Sequence, residues 1–338
     1  MGNEMEIYLS GAFSHRQRLL GHGEAAHHAY ETLKSMGLSI RTGGEELPEG
    51  YKPDIEISFT HPESYEFNSL TSYKIGYTAW ESTEFKPEWW EHFDRCDEIW
   101  TPSHWMLNIF RQKLPHKIVR VWQHGISPEW IPKKEVRNPL KPFTFLSISE
   151  PFDRKDAQLI VDTFADLYGD NPNVRLILKC SRMDRTRKTN PQTLQPYNNI
   201  QVYTEYFTTE QMKHLYNSAD VFVYPSWGEG FGLQPLESMA LGIPTICTTA
   251  WADYRKFITV PLHSTYELSP WQEIHPGFML KPDKKQFKLA MKYAYFSHDD
   301  LCDKAFKNAL ELHREYDWKK VTEPVVEVLK EIYNSRTQ

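Results

Sequence analysis

The sequence predicts an α/β protein built as two doubly wound domains in series. Three observations lead there. Short apolar runs alternate with stretches of helical periodicity along nearly the whole chain, the pattern of successive βα units. That alternation breaks once, at residues 127–142, where Pro128, Pro132, Pro139 and Pro142 stand among charged residues and read as a linker. The 338 residues are enough for two domains with sizeable cores, at roughly 100–200 residues each. The expected divisions are 1–135, 136–315 and a terminal helical segment at 316–338.

Composition narrows the class further. The chain is 40% hydrophobic and 25% charged, as ordinary globular proteins are. Its net charge of −6 gives no global basic field for nucleic acid, though it leaves room for a local basic cleft. Cys96, Cys180, Cys247 and Cys302 form no CxxC pair, which argues against a zinc site or a disulfide scaffold and for reduced thiols. No basic segment followed by an apolar core opens the chain, and no run of about 18 apolar residues occurs, so the expected location is cytoplasmic with no integral membrane segment. Eleven tryptophans are many, with Trp80, Trp89, Trp90, Trp100 and Trp105 close together. Most should be core, and an exposed subset could stack on a sugar or base.

In chain order, residues 5–9 read as a strand, 10–23 as a loop and 24–36 as a helix that Gly37 closes; 38–41 is the next strand. Gly21 and Gly23 in that loop let a ligand approach backbone N–H groups at a helix start, and the spacing is not GxGxxG. The loop is either a site rim or a flexible connector. The strand at 54–59 runs into His61, and the strand at 74–79 into Trp80 and Glu81. After a short helical stretch at 87–96, the strand at 97–101 leads to Ser103, which caps a helix at 105–113. The strand at 118–122 ends at His124. Ligands in open α/β sheets lie beyond the carboxyl ends of strands, where these residues fall. Glu81 is a cleft carboxylate or a capping acid; His61 and His124 are ligand contacts or satisfied structural histidines.

The second alternation starts with a strand at 144–148. Asp153-Arg154-Lys155-Asp156 precedes a helix at 157–168, and a strand at 174–179 ends on Lys179. A basic polar stretch at 182–190 reads as an exposed loop. The strand at 200–203 is followed by a helix from Thr208 to Ser218. The strand at 221–224 then meets a turn carrying Gly228, Gly230 and Gly232, and a helix opens near Gln234-Pro235 and stops at Gly242. A strand at 245–247 and a helical turn at 253–257 follow. Residues 258–281 read as irregular, and three helices, 284–296, 299–316 and 318–333, complete the chain.

The turn Gly228-Glu229-Gly230-Phe231-Gly232 carries the chemistry. Its glycines free successive backbone N–H groups to face a ligand, and the helix behind adds its positive end. Pro235 suits an early helical position because its missing N–H costs nothing there. A diphosphate fits such a site. The flanking carboxylates Glu229 and Glu237 suit paired hydroxyls, and Lys155, Arg154 and Lys179 could supply cations. A nucleotide sugar satisfies all of these demands. Taken alone, the turn reads equally well as a helix-capping turn with an exposed glutamate.

EGFGLQPLESMALGIPTI resembles the signature of family 4 glycosyltransferases, retaining enzymes of the GT-B fold, with seven residues between Glu229 and Glu237. CDEIWTPSHW, IVRVWQHGI and LSISEPFDRKDAQLIVDTFADL resemble further stretches of that family, and YDWKKVTEPVVEVLKEIY resembles its terminal helix. The resemblance implies two Rossmann-like domains facing a cleft, an acceptor-side domain first and a donor domain second. It implies that the terminal helix returns to the N-terminal domain. It also implies roles: Glu229 on the donor sugar, Glu237 on the ribose, Lys155 on the diphosphate, and backbone N–H groups from Gly230, Phe231, Gly232 and Leu233. Gly21 and Gly23 would line the opposite wall. The chain departs from the family where Ser149-Glu150 stands in place of an arginine, for which either Arg154 substitutes or nothing does, and where Glu81 stands at the position of a frequent histidine.

The expected reaction is transfer of a sugar from a UDP- or GDP-sugar to a hydroxyl acceptor, a glycan or small molecule, with retention. No metal is required and no Asp-x-Asp motif is present to hold one. A second reading is a phage-type transferase acting on DNA with hydroxymethylated pyrimidines. It rests on the aromatic content and on basic loops at Arg16 and Arg18 and at Arg182, Arg185, Arg187 and Lys188; the net charge weighs against it. A third is a non-catalytic nucleotide-sugar or glycan-binding protein.

Overall fold

A computed structural model describes residues 4–11, 21–134, 137–148, 153–180 and 194–337. The chain divides into two compact units, Met1–Ser127 with Glu315–Gln338, and Pro128–Arg314. The first division falls inside the proline-rich stretch.

In the first unit, six described strands form one parallel sheet. They are β1 (Glu6–Gly11), β2 (Ser39–Thr42), β3 (Ile55–Phe59), β4 (Tyr73–Tyr77), β5 (Glu98–Thr101) and β6 (Ile118–Val121), in the order β2-β1-β3-β4-β5-β6. Helices α1 (Gly21–Ser35), α2 (Trp89–Asp94) and α3 (His104–Lys113) connect them. Ser103 caps α3 through the Met106 N–H, as its place before the periodic run predicts. α1 begins earlier than Glu24, so Gly21 and Gly23 lie in its first turn.

The terminal helix α9 (Trp318–Thr337) belongs to this unit. Its Trp318, Val325, Val326, Leu329 and Ile332 share a core with Ile7, Leu9, Ala29, Leu33, Ile57 and Tyr77. The Trp122 indole donates to Thr322 Oγ1 at 3.2 Å, and Ile126 N–H donates to the Tyr316 carbonyl at 2.6 Å. Gly125 makes this approach possible, since a Cβ there would lie 2.6 Å from the Trp318 Cα. A second core holds Trp80, Phe85, Trp89, Phe93 and Phe110.

The second unit has a parallel sheet of six described strands: β7 (Phe143–Ile148), β8 (Val174–Lys179), β9 (Ile200–Tyr203), β10 (Val221–Tyr224), β11 (Thr245–Thr248) and β12 (Val260–Leu262). Their order is β12-β11-β10-β7-β8-β9. β7 therefore lies between β8 and β10, and the winding reverses between β7 and β10. Helices α4 (Ala157–Tyr168), α5 (Thr209–Asn217), α6 (Leu233–Ala240), α7 (Lys284–Phe296) and α8 (His298–Glu315) complete it. A two-stranded antiparallel ribbon, β13 (Ser264–Leu268) with β14 (Phe278–Pro282), lies in the stretch expected to be irregular. The expectation fails because β13 is largely exposed and Pro261 and Pro282 interrupt the strand pattern. Both sheets with their flanking helices match the predicted doubly wound α/β class.

Candidate active site

In an open α/β sheet, the loops that diverge at the winding reversal leave a crevice at the strands' carboxyl ends. In the second unit these are the loops after β7 and β10, and they bring Arg154 and Lys155 to Glu229.

Glu229 is buried, and four groups donate to its Oε1. They are Arg154 Nη1 at 3.1 Å, Tyr224 Oη at 3.1 Å, Ser226 Oγ at 2.5 Å and Lys155 Nζ. Oε2 accepts no hydrogen bond from the described residues. Arg154 Nη1 also donates to the Gly228 carbonyl at 2.6 Å. Lys155 Nζ lies 2.5 Å from Tyr224 Oη, which in turn reaches Gln234 Oε1 at 3.2 Å. Burial, and then the charge of Glu229, hold the Tyr224 phenol well above its ordinary range, so it stays a neutral donor. Two cations thus meet one buried carboxylate.

The turn holding Glu229 is rigid for identifiable reasons. Gly232 has φ +83°, and a Cβ there would lie 2.5 Å from Tyr254 Oη and 2.7 Å from the Trp251 ring. Tyr254 Oη donates to the Gly232 carbonyl at 2.6 Å, and Trp251 Nε1 to the Ser226 carbonyl at 3.0 Å. Phe231 meets Tyr254 edge to face, with ring centroids 5.5 Å apart. Gly232 is the N-cap of α6, so the first-turn N–H groups, Leu233 onward, emerge beside Gly230 and Glu229.

Glu237, one turn further along α6, is half-buried. Tyr216 Oη lies 2.9 Å from its Oε2 and 3.0 Å from the Gln234 carbonyl. Burial, then Glu237, hold the Tyr216 phenol well above its usual value. The Lys179 ammonium donates to the Cys180 carbonyl at 3.0 Å and lies 5.1 Å from the Phe207 ring centroid.

In the first unit, the predicted residues do follow the carboxyl ends of β1, β3, β4 and β6, but their environments differ. Gly21 is exposed and Gly23 buried at the start of α1. His61 is exposed, starts a short 3-10 turn and stacks on Trp89 at 6.1 Å. The Trp80 indole is a core group: it is buried, donates to the Glu84 carbonyl at 2.8 Å and packs against Trp89 at 4.3 Å. Glu81, next in sequence, is half-buried. His124 is buried, with Nε2 2.8 Å from Tyr77 Oη and its ring stacked near Phe59 and Trp318. Trp80 and His124 therefore act in the packing of this unit. Arg16, Arg18, Ser149, Glu150, Arg182, Arg185, Arg187 and Lys188 lie outside the described residues.

Sequence reasoning missed Tyr224, Ser226, Trp227, Tyr216 and Asp156 as parts of the site. Asp156 had a legible signal, since an Asp just before a periodic helix is a standard N-cap; its Oδ1 accepts from the Leu159 N–H at 3.2 Å. Burial, its largest influence, raises its carboxyl above the ordinary aspartate value. Among the described residues, no group of three or more His, Cys, Asp or Glu gathers as a metal ion would require, and no helix is long and apolar enough to cross a membrane.

Residues 129–256 match the family model described as glycosyl transferases group 1. O-antigen chain mannosyltransferase B of Escherichia coli is 48% identical over 46 residues, 14% of this chain and 12% of that protein. Putative glycosyltransferase 41 of Sulfolobus islandicus filamentous virus is 27% identical over 196 residues, 58% of this chain and 51% of that protein. The chain thus spans about half or less of the length of these two relatives. Sucrose-phosphate synthase from Thermosynechococcus elongatus has a TM-score of 0.70 at 13% identity, covering 98% of this chain and 100% of that one. Anabaena HepE, solved with UDP and glucose, has a TM-score of 0.66 at 11% identity, covering 97% and 100%. The fold is that of GT-B proteins, and the group 1 match with the viral relatives supports a glycosyltransferase of that architecture.

Proposed function

We propose that this chain is a retaining, metal-independent glycosyltransferase that moves a sugar from a UDP- or GDP-sugar to a hydroxyl acceptor, a glycan or small molecule. The observation that carries the reading is the buried Arg154–Lys155–Glu229 cluster beside the start of α6, at the winding reversal of the second sheet. The solved neighbour holding UDP and glucose supports the same ligand class.

In this reading the leaving nucleoside diphosphate gains negative charge as the sugar becomes oxocarbenium-like. Lys155, Arg154 and the N–H groups from Gly230 to Leu233 stabilise that charge, the largest expected contribution. They do without a metal what a divalent ion does elsewhere. Glu229 Oε1 holds the cations, and Oε2 accepts from donor-sugar hydroxyls. Glu237, oriented by Tyr216, accepts from the ribose. Glu81 is assigned to the acceptor side in place of the frequent histidine.

Calorimetric titration of UDP and GDP into the wild-type chain, K155A and E237A tests the reading. The wild-type chain is expected to bind at least one of them. K155A should lose roughly 10-fold or more, the usual scale for a hydrogen bond to a charged group. A wild-type chain that binds neither nucleotide, nor any of their sugars, would overturn it.

A further inference from the structure

Trp227 sits where three segments of the second unit meet. Its backbone N–H donates to the Arg154 carbonyl at 2.8 Å, and its carbonyl accepts from the Leu280 N–H at 2.7 Å. Its indole Nε1–H donates to Asp156 Oδ2 at 2.9 Å, and the Lys281 ammonium lies 5.1 Å from its ring centroid. One residue thus joins the turn after β7, the loop after β10 and the strand β14.

The partner at Asp156 is conformationally unusual. Asp156 has φ +53°, and it is the one non-glycine residue with positive φ among the described residues. Such a conformation persists where the surroundings over-determine it, and it concentrates at functional sites. Two bonds do so here. Oδ1 accepts from the Leu159 N–H and fixes the start of α4; Oδ2 accepts from Trp227 and fixes the turn to the glycine loop. Arg154 and Lys155 immediately precede this residue, so its conformation sets their direction. The backbone bonds of Trp227 are open to any side chain, whereas the indole N–H is specific to tryptophan. A phenylalanine would fill the same space without holding Asp156.

We propose that Trp227 is the positioning residue for the Arg154–Lys155 turn: through Asp156 its indole fixes where the two cations meet the phosphates of the donor. The inference rests on the nucleotide-sugar reading and extends it to a residue outside the ligand contacts. It also gives the β13–β14 ribbon a role, because Leu280 and Lys281 of β14 contact Trp227 as well.

The test is a double-variant cycle on UDP and GDP affinity, with melting temperature measured alongside. W227F and D156N are each expected to weaken nucleotide binding about 10-fold, and W227F/D156N to bind no worse than either alone. Should W227F fail to fold, D156N, which keeps the indole and a side chain that tolerates positive φ, carries the same expected loss. A W227F chain with a lower melting temperature and unchanged nucleotide affinity overturns the inference, since that is what a purely structural tryptophan would give. Losses that multiply in the double variant overturn the route through Asp156. A wild-type chain that binds neither nucleotide overturns the functional reading and this inference with it.

Discussion

At the scale of single residues, the site is built from groups distant in sequence that converge on one carboxylate oxygen. The glycine turn, Glu229, Glu237 and Lys155 were legible in the sequence because each sits in a local pattern: a strand, a glycine-rich turn, a helix start. Their convergence was not legible. Arg154 and Glu229 are brought together by the pairing of β7 with β10, and no local spacing reports that. Tyr224 reads as one more apolar strand residue until its hydroxyl is seen between Lys155 and Gln234. Two predictions belong here. D156A loses a helix cap, about 1 kcal/mol, and forces alanine into positive φ, costing about 1 kcal/mol more. D156G loses the same side-chain bonds, to Leu159 and Trp227, without that backbone cost. Urea unfolding should therefore place D156G between the wild-type chain and D156A; equal destabilisation of the two would remove the backbone term. Y216F removes the hydroxyl beside Glu237 and should weaken nucleoside diphosphate binding about 3- to 10-fold with little change in fold. Unchanged affinity would mean that Tyr216 does not orient Glu237.

At the scale of elements, the helices and parallel strands were mostly read correctly, because burial on a sheet face gives continuous apolar runs bounded by caps. The β13–β14 ribbon was missed for the opposite reason. Most of β13 faces solvent, so no apolar run marks it, while Leu280 and Met279 of β14 are buried by contacts distant in sequence. The histidines and tryptophan expected at strand ends lie where the strands place them, yet position alone did not say which side chains turn into the core. The terminal helix α9 shows the energetic weight one element can carry. Five of its apolar residues enter the first core. At about 1.5–3 kcal/mol for each buried side chain they contribute on the order of 10 kcal/mol, comparable with the whole stability of an ordinary domain. A chain ending at residue 314 should lose the cooperative unfolding of the first unit by circular dichroism and proteolysis. Retention of a folded, protease-resistant first unit would contradict this packing. G125A, whose Cβ would meet Trp318, should lower the melting temperature in the same direction.

At the scale of the whole molecule, the two-sheet organisation was the most legible feature, since alternation with a single proline-rich break leaves few other architectures. The acceptor was the least legible, because it is set by side chains on loops whose directions no periodicity encodes. A ligand that binds the folded state raises its stability, by about 2.7 kcal/mol at a hundred times its dissociation constant. UDP or GDP should therefore raise the melting temperature of the wild-type chain by a few degrees, and of K155A by much less at the same concentration. The central claim, transfer from a nucleotide sugar with retention, is tested most directly by proton NMR of a UDP- or GDP-hexose incubated with the wild-type chain and K155A. The donors for this test are α-linked hexoses. Retention predicts that the wild-type chain releases nucleoside diphosphate with the α-anomer appearing first, or an α-linked product where an acceptor is supplied, and that K155A slows the release. First appearance of the β-anomer, or donors left uncleaved across the panel, would contradict it.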